Sequence, residues 1–446
     1  MNTLDAMERL YSRKYGLVNS VNVPMENHVS SLKVPIENGT YTIGGAIPMF
    51  IPAVSRKGTT NGSGGAASLN RERSIIKTYG EFIERYGGIY NANEEAGNTL
   101  FDSFDNLQDK GVPCLDFREL IHYEEQIYDD PKFPLPRYKT SMPVTWVKGQ
   151  NLSIGEDVWL PAQKIFLGYP YPADEYRYIW SLSTGLACGS NYYQAAQGAI
   201  YEVVERDSFM LTWLLQIPGK RIEMDSISNK ELKQLYTHIL KHLTGEDRLF
   251  IYDISKTPGV YTVLTFIRND LPDAYGLVVA AASHTCPQVA LLKSFEEMCQ
   301  TQNFAHYTLA KDEKKECQHM KPQDVDSLHN HLFYYSTGRH SHILDFISLS
   351  GESTCLSNMD DYTKKSPKEN LNYIVNCISQ NGEQVYMADI TKVEMRKSGF
   401  YVLKAVVPGY PDLISNHRFR QLNNRRLRKL QKELGAEIND NPHPFP

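Results

Sequence analysis

The sequence predicts an α/β fold of mixed sheets with packed helices, on three observations. Segments rich in β-branched and aromatic residues, bounded by turn formers, alternate along the chain with segments of helical periodicity. Helix-start signals separate many of them. An element of the form Gly-x16-Glu-x-x-Glu/Gln also recurs internally: Gly64 stands seventeen residues before Glu81, Gly185 seventeen before Glu202, and in a degraded third copy Ala280 stands seventeen before Glu297.

Taken in order, Tyr41 to Val54 is the first strand candidate, followed by a Gly-rich loop from Lys57 to Gly65. Ile75, Ile76, Tyr79, Phe82, Ile83 and Tyr86 then follow helical spacing, with Glu81 and Glu84 together on the opposite side. Val144 to Gly168 reads as extended. A second helix has Ala195, Ala199, Ile200, Val203 and Met210 on its apolar side, Glu202 at the edge and Glu205 projecting away. Ser228-Asn229-Lys230-Glu231 opens a further helix. Strands are expected over Leu249 to Ser255, Tyr261 to Arg268 and Gly276 to Ser283, and a third repeat helix over Ala290 to Gln300. Lys314 to Asp326 is polar and reads as a surface loop. Ile343 to Ser350 is a strand candidate, and Ser366-Pro367-Lys368-Glu369 is a capping box with Pro at the first helical position. Val385 to Thr391 and Tyr401 to Val407 complete the strands.

Composition narrows the function. A chain of 446 residues, 41% hydrophobic and 22% charged, has ample core, and its net charge of −5 argues against general nucleic-acid binding. No apolar run approaches a membrane span and the start lacks a signal peptide, so a cytoplasmic protein is expected. Seven scattered cysteines without C-x-x-C fit reduced thiols, and the Cys/His pairs lack zinc-finger spacing. The histidines form no catalytic signature, and none is assigned a role.

The repeat carries the chemistry. Glu-x-x-Glu-Arg occurs twice, as Glu81-Phe82-Ile83-Glu84-Arg85 and Glu202-Val203-Val204-Glu205-Arg206, whereas the third copy, Glu297-Met298-Cys299-Gln300, ends in an amide. One such pair is what any solvated helix face shows, but a solvated face has no need to repeat the order behind a small-residue loop. Carboxylates three apart on a helix suit magnesium shared with phosphate oxygens, and Arg85 and Arg206 could face phosphates. The Gly-rich loop offers anion-binding amides or is simply a flexible turn; it lacks the P-loop pattern. Arg418 to Lys429 is either a solvated helix face or a basic wall for phosphates or an acidic peptide. Pro442-His443-Pro444-Phe445-Pro446 favours an extended segment, which by itself fits a disordered end or a peptide ligand.

These motifs together resemble the YcaO family. The resemblance rests on Gly64-Gly65-Ala66 leading to Gly80-Glu81-Phe82-Ile83-Glu84-Arg85-Tyr86, on Ser183 to Gly189 leading to Glu202 to Asp207, on Ala290 to Gln300, and on Val406-Val407-Pro408-Gly409. The Pro-rich tail resembles that of the azoline-forming cyclodehydratase D proteins of thiazole/oxazole-modified microcin pathways. The resemblance implies a YcaO fold and a single domain over 1–446, with a lead-in at 1–40 and a basic helix and Pro-rich tail at 411–446.

It further implies an ATP-dependent enzyme that converts Cys, Ser or Thr of a ribosomal precursor peptide to thiazoline or (methyl)oxazoline by phosphorylating the backbone amide oxygen. Alternatives are a YcaO enzyme forming a thioamide or macroamidine, and a non-catalytic peptide-binding scaffold. By motif, Glu81, Glu84, Glu202 and Glu205 are expected to hold Mg2+ and nucleotide, Arg206 to touch phosphate, and Ser190 and Gln194 to lie at the nucleotide. Gln194 replaces a usual Glu, which weakens any metal contact there. Pro446 is expected to place its carboxylate near the reacting amide, so that a C-terminal tag abolishes cyclisation without unfolding the protein. Because the likeness begins near Leu10, a separate leader-binding C-type partner is expected, with a flavin-dependent dehydrogenase elsewhere in the pathway and no nucleic-acid or membrane partner.

Overall fold

The computed structural model describes residues 3–11, 18, 20–22, 32–36, 39–43, 47, 49, 53–55, 63–92, 95, 97–243, 247–270, 275–309, 320–335 and 338–445. Near the start stand helix α1 (Thr3–Glu8), strands β1 (Ser20–Asn22), β4 (Ala53–Ser55) and β5 (Ser63–Gly65) in a three-stranded sheet, and the hairpin β2 (Leu32–Ile36) and β3 (Gly39–Ile43). Helix α2 (Arg71–Gly87) follows β5, capped by the Asn70 side chain accepting from the Arg73 amide.

Two larger sheets form the body. The first orders β6 (Thr99–Ser103), β7 (Pro143–Asn151), β15 (Tyr386–Asp389), β16 (Tyr401–Val406) and β9 (Leu186–Gly189), with β8 (Glu156–Pro161) paired to β7. The second orders β13 (Leu277–His284), β12 (Tyr261–Arg268), β11 (Arg248–Asp253), β10 (Lys220–Glu223) and β14 (Ser353–Cys355), antiparallel except between β10 and β14. Helices α3 (Phe104–Asp109) and α4 (Ala162–Ile165) decorate the first sheet.

Helix α5 (Tyr192–Leu214) packs against β9 and β16 of the first sheet and β12 and β13 of the second. That position between the sheets explains why it is apolar almost all round. It also overturns the reading of Glu205 as projecting away from the core: with protein on every side, Glu205 is buried at 8% exposure. Helix α6 (Lys230–His242) starts at the Asn229 cap and packs on α7 (Pro287–Leu309), which follows β13. Then come α8 (Leu328–Tyr334), α9 (Pro367–Gln380), α10 (Val393–Lys397) and α11 (Arg425–Leu434). The capping box at Ser366 and Glu369 is present. Ile343 to Ser350 is not a strand: Gly338–Ser348 is a 3₁₀ segment, because Leu344, Phe346 and Ile347 bury one face of a turn and do not alternate across a sheet. Lys57 to Gly62 of the Gly-rich loop and Lys314 to His319 of the polar loop lie outside the described residues.

Each of the three repeat helices thus follows directly on a strand, as β5–α2, β9–α5 and β13–α7. One glycine at these joints has no substitute. Gly185 has φ +81°, and a Cβ there would lie 2.3 Å from the Ala405 carbonyl oxygen and 2.8 Å from Val203. Gly185→Ala is therefore expected to cost about 3 kcal/mol or more, read as a lowered denaturation midpoint with unchanged m-value.

Candidate functional site

The three repeat helices converge on one cavity of about 1510 Å3, whose lining includes Glu81 and Glu84 from α2, Glu205 from α5 and Glu297 from α7. The recurring spacing has a local cause. The first carboxylate of each pair accepts a backbone N–H from the small-residue joint before its own helix: Gly65 N donates to Glu81 Oε2 at 2.8 Å, and Gly185 N to Glu202 Oε2 at 3.1 Å. In the first copy the donor is Gly65, one residue later than the sequence alignment of Gly64 with Gly185 implies. In the third copy Gln300 reaches across, donating from Nε2 to the Gly65 carbonyl at 2.8 Å, so α7 braces the first joint.

The second carboxylates are less committed. Glu84 has no hydrogen-bond or ion-pair partner among the described residues. Burial, and then the Glu202 carboxylate, push its carboxyl well above the usual range. Burial does the same to Glu205, against the pull of Arg206, and its Oε1 makes no hydrogen bond. Glu81 and Glu297 are also raised, again chiefly by burial. Glu202 adds to the field at all four. So many carboxylates withdrawn from water in one field are costly unless a cation joins them. Among the described residues no three His, Cys, Asp or Glu side chains form a ready-made cage. Magnesium takes a few hard oxygen ligands from protein and shares the rest with phosphate and water, and carboxylates are donors of that kind.

Arg206 departs from its expected place. Its Nη1 lies 3.1 Å from Glu205 Oε1 and its Nη2 3.4 Å from Glu202 Oε1, and these carboxylates hold the guanidinium firmly charged against its burial. Arg85, its counterpart, is more exposed and 3.6 Å from Glu81. Ser190 and Gln194 do line the cavity, but they pair with each other, the Ser190 hydroxyl donating to Gln194 Oε1 at 2.6 Å.

Sequence reading missed the cations that line the cavity beside the glutamates. Lys77 Nζ donates to Glu296 at 2.9 Å, Arg73 Nη2 to the same carboxylate at 3.3 Å, and Lys293 faces the cavity from α7. Burial and the neighbouring Lys77 lower the Lys293 ammonium pKa. Helical spacing from the glutamates was the available signal: Lys77 precedes Glu81 by four residues, as Lys293 precedes Glu297.

The basic run is the solvated helix face of the first reading, Arg425 and Lys429 being exposed above buried Leu422 and Leu427, and its arginines are also ion-paired. Arg418 pairs with Asp130, Arg420 with Asp440, Arg425 with Glu383, Arg426 with the fully buried Asp207, and Arg428 with Glu124. These arginines clamp the C-terminal region onto the body. The tail is docked too. Tyr335 donates to the Pro442 carbonyl at 2.5 Å, Trp213 to that of Asn441 at 3.3 Å, and Phe445 is fully buried against Phe209. Pro446 lies outside the described residues.

His331 and His443 stack at 3.8 Å between ring centroids, each using one ring nitrogen on a backbone carbonyl, those of His443 and Ile414 respectively. Burial lowers the His331 pKa to about 4 and, with the neighbouring His331 ring, pushes His443 well below its usual value; the nearby His417 adds to both. Unfolded imidazoles take protons first below about 6.5. Stability from this seat is therefore complete above that pH and is lost as pH falls, for His331 toward 4 and by up to about 3 kcal/mol. Hydrogen exchange at residues 439–445 is expected to accelerate over that interval, and His443→Phe should flatten the dependence.

Comparison with known proteins follows this geometry. Residues 65–410 match a family model described as YcaO cyclodehydratase, ATP- and Mg2+-binding. A heterocyclase solved in complex with substrate and cofactor superposes with a TM-score of 0.74 at 16% identity, covering 99% of this chain and 57% of that one. The present chain thus spans little more than half the length of that protein. YcaO from Methanopyrus kandleri, bound with AMPPCP and Mg2+, superposes with a TM-score of 0.57 at 17% identity over 82% of this chain and 84% of that one. A chain of the E. coli microcin synthetase McbBCD complex gives 0.58 at 17% over 93% and 100%. ATP and Mg2+ are the family's cofactors, and the Glu205 oxygen that makes no hydrogen bond, with Glu84, Lys77 and Lys293 at the same cavity, fits them. The fold and this site place the chain in the YcaO cyclodehydratase family.

Proposed function

We propose that the protein is an ATP-dependent peptide cyclodehydratase acting on Cys, Ser or Thr of a ribosomal precursor peptide. The reading is carried by one observation: carboxylates from three repeated strand–helix units, Glu205 buried and the others half-buried, line one cavity together with Lys77 and Lys293. Bound Mg2+ supplies charge neutralisation to the phosphate oxygens.

In this reading the peptide's thiol or hydroxyl adds to the preceding amide carbonyl, and its proton passes to a base. The resulting oxygen takes the γ-phosphoryl group of ATP. The nitrogen lone pair then expels inorganic phosphate and the N–H proton is lost, leaving a thiazoline or (methyl)oxazoline, ADP, and a peptide lighter by one water. Glu81, Glu84, Glu202 and Glu205 are assigned to hold the metal, Lys77 and Lys293 to balance phosphate charge, and Ser190 and Gln194 to flank the nucleotide. Arg206 is assigned to hold Glu202 and Glu205 in place. Pro446, the residue after Phe445, is assigned to the reacting amide as proton acceptor.

The E. coli microcin synthetase complex, also solved with pro-MccB17 bound, supports a precursor peptide and partner proteins for this chain; a leader-binding subunit is the partner assigned in this reading. A flavin-dependent dehydrogenase acting on the azolines belongs to the same reading. No described helix is long and apolar enough to cross a membrane.

The test incubates the protein with precursor peptide, leader-binding partner, ATP and Mg2+, following phosphate release and peptide mass. One water lost per modified residue is expected. ATP hydrolysis without dehydration would sink the reading, and a gain of sulfur in place of oxygen would favour thioamide formation.

A further inference from the structure

We propose that Phe445 is a positioning residue for the carboxylate site, acting through Arg206; the inference rests on the functional reading above. The Arg206 guanidinium lies 4.4 Å from the centroid of the fully buried Phe445 ring, which packs on Phe209 at 4.7 Å. A desolvated guanidinium on an aromatic face is held by the ring quadrupole.

The geometry shows what this hold accomplishes. Arg206 Nη1 stands 3.1 Å from Glu205 Oε1, yet neither atom forms a hydrogen bond, and Arg206 Nε is unpartnered as well. The cation is close enough to offset the carboxylates' charge and too poorly aligned to consume the Glu205 oxygen. A cation arriving at Glu202 and Glu205 competes with Arg206 for the same oxygens. With Phe445 absent, the guanidinium is free to settle onto both carboxylates in bidentate fashion and close them off. Tail seating and metal–nucleotide binding are therefore linked, and linkage is reciprocal: each favours the other by the same factor.

Binding of Mg2+ with AMPPCP, measured calorimetrically on the full chain, reads one side of the linkage. Phe445→Leu, which keeps apolar bulk but removes the ring face, is expected to weaken binding about tenfold, and Phe445→Tyr to restore it. In an Arg206→Gln background, Phe445→Leu should change nothing further. Hydrogen exchange reads the other side: saturating Mg2+ and AMPPCP should slow exchange at Asn441 and His443 about tenfold in the wild-type chain. Wild-type affinity in Phe445→Leu, or an equal loss in the Arg206→Gln background, overturns the inference and leaves the functional reading standing. Failure of the wild-type chain to bind Mg2+ and AMPPCP overturns both. Should Phe445→Leu fold poorly in a thermal melt, the wild-type exchange result decides alone, unchanged exchange counting against the inference.

Discussion

Glu84→Gln is expected to lower kcat/KM by two to three orders of magnitude while leaving the protein more stable at pH 8. The two effects have one cause. Glu84 is half-buried at the cavity, has no hydrogen-bond or ion-pair partner among the described residues and feels Glu202 and Glu81, so its charge opposes folding in the absence of metal. The amide keeps the shape and removes that charge. Losing one of a few hard ligands costs roughly 3–4 kcal/mol of transition-state stabilisation, about the value of a single buried charge-stabilising contact in a catalytic site. The sign can be checked by pH. Because the folded-state pKa is raised above the unfolded value near 4.5, the wild-type chain binds a proton more tightly when folded, and the penalty disappears as pH falls through that raised value. The melting-temperature advantage of Glu84→Gln should therefore shrink on acidification. Thermal melts of the metal-free proteins from pH 8 to pH 5, beside steady-state turnover, test both halves. Unchanged turnover, or a lower melting temperature at pH 8, would remove Glu84 from the site.

Removing residues 441–446 is expected to abolish cyclisation, by about 1000-fold or more, with the body still folded. The docked tail contributes a fully buried Phe445, and Tyr335 and Trp213 donate to its carbonyls. Losing a buried Phe costs about 3–5 kcal/mol, and the two orphaned donors add about 1–3 kcal/mol each unless water reaches them. The α11 clamps remain, since Arg426–Asp207 and Arg428–Glu124 lie upstream of the cut. A reduced melting temperature with native circular dichroism, residual Mg2+–AMPPCP binding and no dehydrated peptide is the expected combination. Dehydration at wild-type rate would show that the tail serves the fold alone.

These expectations show where sequence reading reached and where it stopped. The strands of the second sheet, the Ser366 capping box and the repeat helices follow from period and cap chemistry, which are local properties. Ile343 to Ser350 failed because a short apolar run satisfies strand and turn alike, and the face it must bury decides. Glu81 and Glu202 were legible because a backbone N–H from the preceding joint fixes each, a constraint shared by the first two repeat units.

Sequence alone thus determined the α/β class, the family and the identity of the acidic side chains, because repetition at fixed intervals is written in the chain itself. Tertiary structure decided which groups share one field. Only the burial of α5 between two sheets makes Glu205 costly, pairs Arg206 inward and sets the distant residues Lys293 and Phe445 on either side of the same carboxylates. Such contacts join residues up to some 240 positions apart, and no local period encodes them.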